Sequence, residues 1–599
     1  MKTISILFLY IMSISLLFGC QKNSGDFELH IAHIDDTHSH ISSETYSLYF
    51  DDVKTYTEIG GYGRVVSKIK EIQNTKKNVL TLNAGDTFQG TMYYSLFEGD
   101  ADAKMLNMIE WDAIELGNHE FDDGDTHLAE YLGKLTTESS KILASNIEVP
   151  STDPLYKKFA PYTIKEFAGG EKVAIIGVDT VAKTKYSSNP SDKVIFTDEL
   201  TTIQKYVDEV KRLGINKIVL LSHIGLKNDK EIASKLDGVD IIIGGDSHSL
   251  MGDFSQLGLT ADENYYPYIT LDKNAHAVCI GHAWQYNYVV GDMDVIFDAD
   301  GVVKSCMGED ILLSSDKFQQ KDENGSVVEV SLDIKTKILN IISKNKNIEV
   351  VKEDLATLST LSTYSQQVDA KKAEVIGYCS QYLGHNRIPN DTYDKVAPLP
   401  LGSDIAPIVA KSFYELSNLA DGCIQNAGGV RTPIEVGNIT IGDAYTLLPF
   451  ANTLYEIKMT GGEIKQVLTD AVDEAIFGGV DNVVSTGAFP YAYGLRYDVD
   501  TTHDRNNTIL NLEILDRKTD TWSNIDISKT YTIVTNSYIA GGKDGYITFK
   551  TVLDADSSKG TNTYLDYAMS FVKYVENTQK DGKSIEKLPS SYHPIKSFK

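Results

Sequence analysis

Across its first half the chain repeatedly sets an apolar run of four to eight residues ahead of a polar or amphipathic stretch, and this alternation constrains the fold more than any other feature. The runs are Phe27 to Ile34, Val79 to Leu82, Ala113 to Leu116, Val173 to Val178, Lys217 to Leu221, and Val239 to Ile243. Between several of them, Arg64 to Gln73 and Thr201 to Leu213 carry apolar positions at helical spacing. Short strands alternating with amphipathic helices predict an α/β domain.

One such domain does not account for 599 residues, so a second is expected. An amphipathic segment at 331–353 reads as a connector helix. The first domain then spans 26–325, the second 354–575, and a lysine-rich, loose tail 576–599. With 84 acidic against 56 basic side chains the net charge is −28, which repels polyanions and disfavours a nucleic-acid partner. A small anionic substrate stays compatible, because two divalent ions and a few arginines reverse the potential inside one cleft.

The N-terminus reads as a leader: Lys2 precedes an apolar run from Ile4 to Phe18, closing at Gly19-Cys20. This resembles a bacterial lipobox, with 1–20 removed as a signal and Cys20 lipidated. The expected location is the bacterial cell envelope, with the lipid as the only membrane contact. The alternative is an ordinary secretory signal with a chance cysteine. Cys279, Cys306, Cys379 and Cys423 form no CxxC pair, and three connectivities are open if all four pair.

Five of the apolar runs end in residues that bind hard or borderline cations. The endings are Asp35-Asp36-Thr37-His38-Ser39-His40, Asn83-Ala84-Gly85-Asp86, Gly117-Asn118-His119-Glu120-Phe121-Asp122, Ser222-His223, and Gly244-Gly245-Asp246-Ser247-His248. One histidine after a strand is an ordinary polar residue. Five such endings, at the carboxyl ends of strands in an open α/β sheet, converge on one crevice. His30, His33, His276 and His282 lie inside strand-like stretches and read as structural, Arg64 as the anchor of a helix start, and His40 as adjacent to the crevice.

Together DxH, GDxFQG, GNHEFD, SHIG and GGxSH resemble the calcineurin-like metallophosphoesterase domain of 5′-nucleotidases. The resemblance implies a four-layer sandwich and two divalent ions, drawn from Mn, Zn, Mg, Co and Fe. It implies that Asp86 bridges the ions, with Asp36, His38 and His248 on one and Asn118, His223 and Asp246 on the other. The family usually carries histidine at position 246, and a carboxylate there shifts preference towards manganese, magnesium or iron over zinc. By the same resemblance His119 faces the phosphate and protonates the leaving oxygen, with Asp122 orienting its ring. Asp122 can alternatively cap the following helix.

In the second half, Asn426-Ala427-Gly428-Gly429-Val430-Arg431, Leu448-Pro449-Phe450 and the stretch from Asn536 to Tyr546 resemble the C-terminal substrate-binding domain of the same family, a mixed α/β unit. Carried over by position, Phe450 and Tyr538 sandwich a base, Asp544 contacts the sugar, and Asn426 and Arg431 grip the substrate. An arginine usual before the next helix is missing from Val396 to Asp404, with Arg387 or Lys395 as replacements, and Arg496 reads as structural. The implied activity is hydrolysis of nucleoside 5′-monophosphates by a monomeric enzyme. UDP-sugar hydrolysis and 2′,3′-cyclic nucleotide phosphodiesterase activity use the same centre. A non-catalytic nucleotide- or host-binding surface lipoprotein is the reading from another class.

Overall fold

The structure is a computed structural model describing residues 25–599 apart from 323–325, 391–398, 451, 480–483 and 503–504. The leader, Cys20 and Lys395 lie outside the described residues.

In the first half two sheets pack face to face. One orders its strands Glu44–Phe50, Val53–Ile59, Val303–Lys321, Val289–Phe297, Phe27–Ile34, Val79–Asn83, Ala113–Glu115 and Ile142–Leu143. The other orders them Tyr268–Leu271, Ala277–Gly281, Ile241–Gly244, Ile218–His223, Lys172–Asp179 and Tyr162–Glu166. Each contains a parallel run, Phe27–Ile34 with Val79–Asn83 and Ala113–Glu115 in one, Lys172–Asp179 with Ile218–His223 and Ile241–Gly244 in the other. These are the strands expected from the apolar runs.

Leu29, Ile31, Leu80 and Leu82 of the first sheet share one buried cluster with Ile175, Val219, Leu221 and Ile243 of the second. A disulfide between Cys279 and Cys306 ties a strand of one sheet to a strand of the other across a Cα–Cα distance of 6.3 Å. Closing a loop of 27 residues stabilises by about 3–4 kcal/mol in the chain-entropy account. Cys379 and Cys423 are free and buried.

Helices cover both outer faces, completing four layers. Tyr62–Thr75 buries Tyr62, Val65, Val66, Ile69 and Ile72, the spacing of one helical face. Glu199–Arg212 covers the other sheet through Ile203, Val207 and Val210, and Asp198 caps it by accepting from Thr201 N–H.

The segment expected as one connector helix over 331–353 is different. Its helix is Leu332–Ile342, capped by Ser331, and Ile348–Val350 then pairs in parallel with Val303–Lys321. The chain therefore stays in the first sheet until Val350. The segment that bridges the halves is the next helix, Leu355–Lys372, started by the Asp354 cap. It packs on Tyr62–Thr75 and Asp100–Leu106 on one side and on Ile441–Leu447 on the other.

The second half centres on a sheet ordered Pro490–Tyr493, Gly422–Asn426, Thr530–Asn536, Thr453–Thr460 and Gly560–Asp566. Ala406–Leu416, Gly461–Phe477 and Tyr567–Lys580 pack around it. The tail is folded rather than loose: Ile595–Phe598 adds a parallel strand beside Leu495–Val499, which seats Ile595 in the core. No helix among the described residues is long and apolar enough to cross a membrane.

Candidate active site

The carboxyl ends of the parallel strands from both sheets meet, and Asp36, His38, Asp86, Asn118, His119, His223 and Asp246 are buried there, with His248 half-buried at the edge. Five of them, Asp36, His38, Asp86, Asp246 and His248, adopt φ between 42° and 77°. Left-handed backbone costs a non-glycine residue free energy and persists where surrounding contacts enforce it, as at ligand-holding turns. Close loop packing adds to this: a Cβ on Gly117 would stand 2.2 Å from Asp86 Oδ1, so only glycine lets the two loops touch there.

Two sets of ligand atoms cluster within 4.8 Å: Asp36, His38 and His248, and Asp36, Asp86 and His223. His38 Nε2 lies 3.0 Å from His248 Nε2, and Asp86 Oδ2 lies 3.0 Å from His223 Nε2 and 3.7 Å from His38 Nε2. Asp86 thus reaches both sets.

The imidazoles are oriented from behind. His38 Nδ1 donates to Phe88 O at 2.8 Å, His223 Nδ1 to Ala84 O at 2.6 Å, and His248 Nδ1 to Gln285 Oε1 at 2.6 Å. With the proton on Nδ1, each Nε2 lone pair is turned to the centre. Two such nitrogens facing each other at 3.0 Å fit a cation and little else. Asn118 Nδ2 and Oδ1, Asp86 Oδ2 and His223 Nε2 are buried without a hydrogen-bond partner, a cost that coordination would remove.

Electrostatics divide the three ligand imidazoles. At His223 burial opposes the charge, but Asp86 and then Asp36 outweigh it and hold the ring well above the usual imidazole range, whereas the other two go the opposite way. Burial lowers His38 far below the usual imidazole range and His248 to about 4, keeping both rings neutral as ligands must be. Burial raises Asp36 to about 7, with repulsion from Asp86 added. A divalent ion among these carboxylates would hold them ionised.

His119 differs from the other imidazoles. Burial opposes its charge, but Asp122 and Asp86 outweigh that and raise it to about 9. Asp122 Oδ2 accepts from His119 Nδ1 at 2.6 Å, and His119 Nε2 is left without a partner. Helix Gly124–Leu132 starts at Asp123 without a side-chain cap, so the carboxylate of Asp122 serves His119 and not the helix.

Asp246 stands outside both ligand clusters, and Lys183 Nζ donates to its Oδ1 at 2.7 Å. The structural readings hold for Arg64, which donates to Gly60 O, for His33 and His282, which bond Tyr266 and Asp229, and for Arg496, which pairs with Glu513. His276 is instead on the surface, its side chain 54% exposed. His40 pairs with Glu44 and stacks on Tyr286 beside the centre.

In the second half a cavity of about 610 Å³ gathers Asn426, Arg431, Phe450, Tyr538 and Asp544, together with Arg387. Asp544 accepts from Asn426 Nδ2 at 2.8 Å and from the Tyr538 hydroxyl at 3.2 Å. Phe450 and Tyr538, both lining this cavity, are 44% and 43% exposed. Arg387 lines this cavity 44 residues before Arg431, with no local pattern to announce it.

Three further residues were not legible in the sequence. Glu120 accepts from Gly117, Asp86 and Thr87 N–H groups and fixes the two loops, Gln285 orients His248, and Tyr564 covers the centre from the second half. The Tyr564 ring lies 4.1 Å from His119 and stacks on His38 at 5.1 Å, and its hydroxyl donates to Asp246 O at 3.4 Å. It is 6% exposed with φ 52°, an uncommon backbone for a bulky side chain.

The chain is similar to known proteins over most of its length. Residues 29–250 match the family model for calcineurin-like phosphoesterases, and 398–551 that for the 5′-nucleotidase C-terminal domain. A NAD 5′-nucleotidase from Haemophilus influenzae is 38% identical over 92% of this chain and 90% of that protein. A probable 5′-nucleotidase from Treponema pallidum is 36% identical over 93% of this chain and 94% of its own length. The solved NAD nucleotidase of Haemophilus influenzae superposes with a TM-score of 0.79 at 37% identity, covering 96% of this chain and all of that one. The chain belongs to the 5′-nucleotidase family of metal-dependent phosphoester hydrolases.

Proposed function

We propose that this enzyme hydrolyses nucleoside 5′-phosphates, with the base held in the second half and the phosphoester cleaved at the centre of the first. The observation that carries the reading is the pairing of orphaned, cation-ready ligand atoms with a separate aromatic-walled cavity. Asp36, His38 and His248 would hold one divalent ion, Asn118, His223 and Asp246 the other, and Asp86 both. When bound, the ions supply Lewis acidity at the phosphoryl oxygens and activate a water for in-line attack.

The chain's own groups do the rest. Protonated His119 stabilises charge on the phosphoryl oxygens and gives its Nε2 proton to the leaving sugar oxygen, and Asp122 keeps the ring charged and aligned. Phe450 and Tyr538 stack on the base, Asp544 takes the ribose hydroxyls, and Arg387 and Arg431 answer the negative charge of the substrate. No residue lining the cavity belongs to the metal centre, and Tyr564 lies over that centre. Turnover therefore needs the second half to move and carry the substrate across, with Tyr564 withdrawn.

A second reading adds the pyrophosphate bond of NAD as a target, favoured by the similarity to a protein named NAD 5′-nucleotidase. A panel of AMP, NAD, UDP-glucose, 2′,3′-cAMP and bis-p-nitrophenyl phosphate separates these activities. AMP turning over faster than the cyclic and UDP-sugar substrates supports the proposal, and the reverse order defeats it.

We place the enzyme in the bacterial cell envelope on its leader sequence and on Cys20, and the Cys279–Cys306 disulfide suits an oxidising compartment. Loss of radiolabelled palmitate incorporation in Cys20→Ser would support lipidation. Unchanged labelling would refute it.

A further inference from the structure

Lys183 has no part in the roles assigned above. It stands on the short helix Val181–Ser187, and its ammonium meets Asp246 Oδ1 at 2.7 Å. The Asp246 side chain is 5% exposed and that of Lys183 43%, so the pair sits at the rim of the centre with the carboxylate inside. Asp246 is fixed from its backbone as well: its N–H donates to Asp36 Oδ1 at 2.9 Å, its carbonyl accepts from Tyr564, and its φ is 77°. The other carboxylate oxygen, Oδ2, lies beside Gly225, where a Cβ would stand 3.0 Å away. Gly225 follows His223 by two residues, in the turn between strand Ile218–His223 and helix Leu226–Ala233.

A carboxylate at this position has a cost that an imidazole would not have. It adds one negative charge to a site that must attract an anionic phosphate, and it has two oxygens and more than one way to turn. An ammonium on Oδ1 cancels the charge and fixes the orientation together. We propose that Lys183 is the positioning residue for the second metal site, holding Asp246 by Oδ1 so that Oδ2 serves the ion beside His223. This rests on the two-ion reading above. It predicts that the need for Lys183 exists only because residue 246 is an aspartate, and that a neutral nitrogen ligand there makes the lysine dispensable.

The test is a double-substitution cycle read by metal binding. Wild type, Lys183→Met, Lys183→Arg, Asp246→His and the Lys183→Met/Asp246→His double variant are stripped, titrated with Mn²⁺ by calorimetry, and analysed for bound metal after dialysis. Melting of the stripped proteins checks that folded material is compared. In the wild-type background Lys183→Met should weaken one of two ions by about 10–100-fold, the usual effect of losing a group that orients a ligand, and leave the other unchanged. Lys183→Arg should recover most of that affinity. In the Asp246→His background the same Lys183→Met change should cost little. Coupling between the two positions, not either single loss, decides the matter, so a stability defect common to both backgrounds cannot imitate it. Equal losses in both backgrounds would overturn the proposal, as would unchanged metal binding in Lys183→Met accompanied by a raised KM, which would make Lys183 a substrate contact. Wild type that binds fewer than two ions would instead defeat the two-ion reading itself.

Discussion

The metal centre and the nucleotide cavity are built on opposite principles. In the first half every candidate ligand but the half-buried His248 is buried, each ligand imidazole is locked from behind by a hydrogen bond, and five residues hold left-handed backbone. In the second half two aromatic rings stand more than two-fifths exposed, and Asp544 ties Asn426 to Tyr538 across an open cavity. Cleavage needs charges preorganised within tenths of an ångström, whereas stacking needs only a flat face that accepts many bases. Substitutions in the first half should therefore strike turnover or metal affinity, and those in the second should strike KM.

The sharpest contrast is His119→Ala, which should lower kcat about 10²–10⁴-fold, the usual contribution of a general acid. KM for AMP should change little, and a comparable rise in KM would blur the division between the halves. Next is Gln285→Leu, which frees the His248 ring from its 2.6 Å partner. Metal affinity should fall about 10–100-fold, measured by competition with a chelating dye, and kcat should recover at saturating metal.

Phe450→Ala should cost about 1–3 kcal/mol, the range for one stacked base, and appear almost wholly in KM. Steady-state kinetics on AMP and on ribose 5-phosphate decide this, since the baseless substrate should not feel the loss. The smallest effect is expected from Tyr564→Ala. Uncovering the centre should raise hydrolysis of bis-p-nitrophenyl phosphate several-fold, because that substrate reaches the metals without a base to stack. A fall instead would make Tyr564 part of the catalytic arrangement.

These halves also differed in how far the sequence announced them. The metal ligands were legible because each sits at the tip of its own apolar strand, so a local pattern marks a long-range meeting point. The ligand atoms of Asp36, Asp86 and His223 lie together for that reason. Asp246 is present but turned to Lys183, and nothing near either residue signals that contact, since they stand 63 positions apart. Gln285 and Tyr564 were invisible on the same ground: each is a single side chain in a loop or at a strand bulge, placed by tertiary packing.

The connector misled because its amphipathic stretch is real but short. Ile348–Val350 leaves the helix to complete a sheet, a choice made by a partner strand distant in sequence. Likewise Ile595–Phe598 looked loose because its strand partner, Leu495–Val499, lies about a hundred residues earlier. The disulfide followed the same rule, since Cys279 and Cys306 became neighbours only once the two sheets stacked.

The central claim is that two cations lie among strand tips of both sheets. Anomalous diffraction at the manganese edge from crystals grown with Mn²⁺ tests it directly. The account predicts two peaks, one bounded by Asp36, His38 and His248 and one by Asp86, Asn118 and His223. Clear density for these side chains with no anomalous peak between them would contradict it.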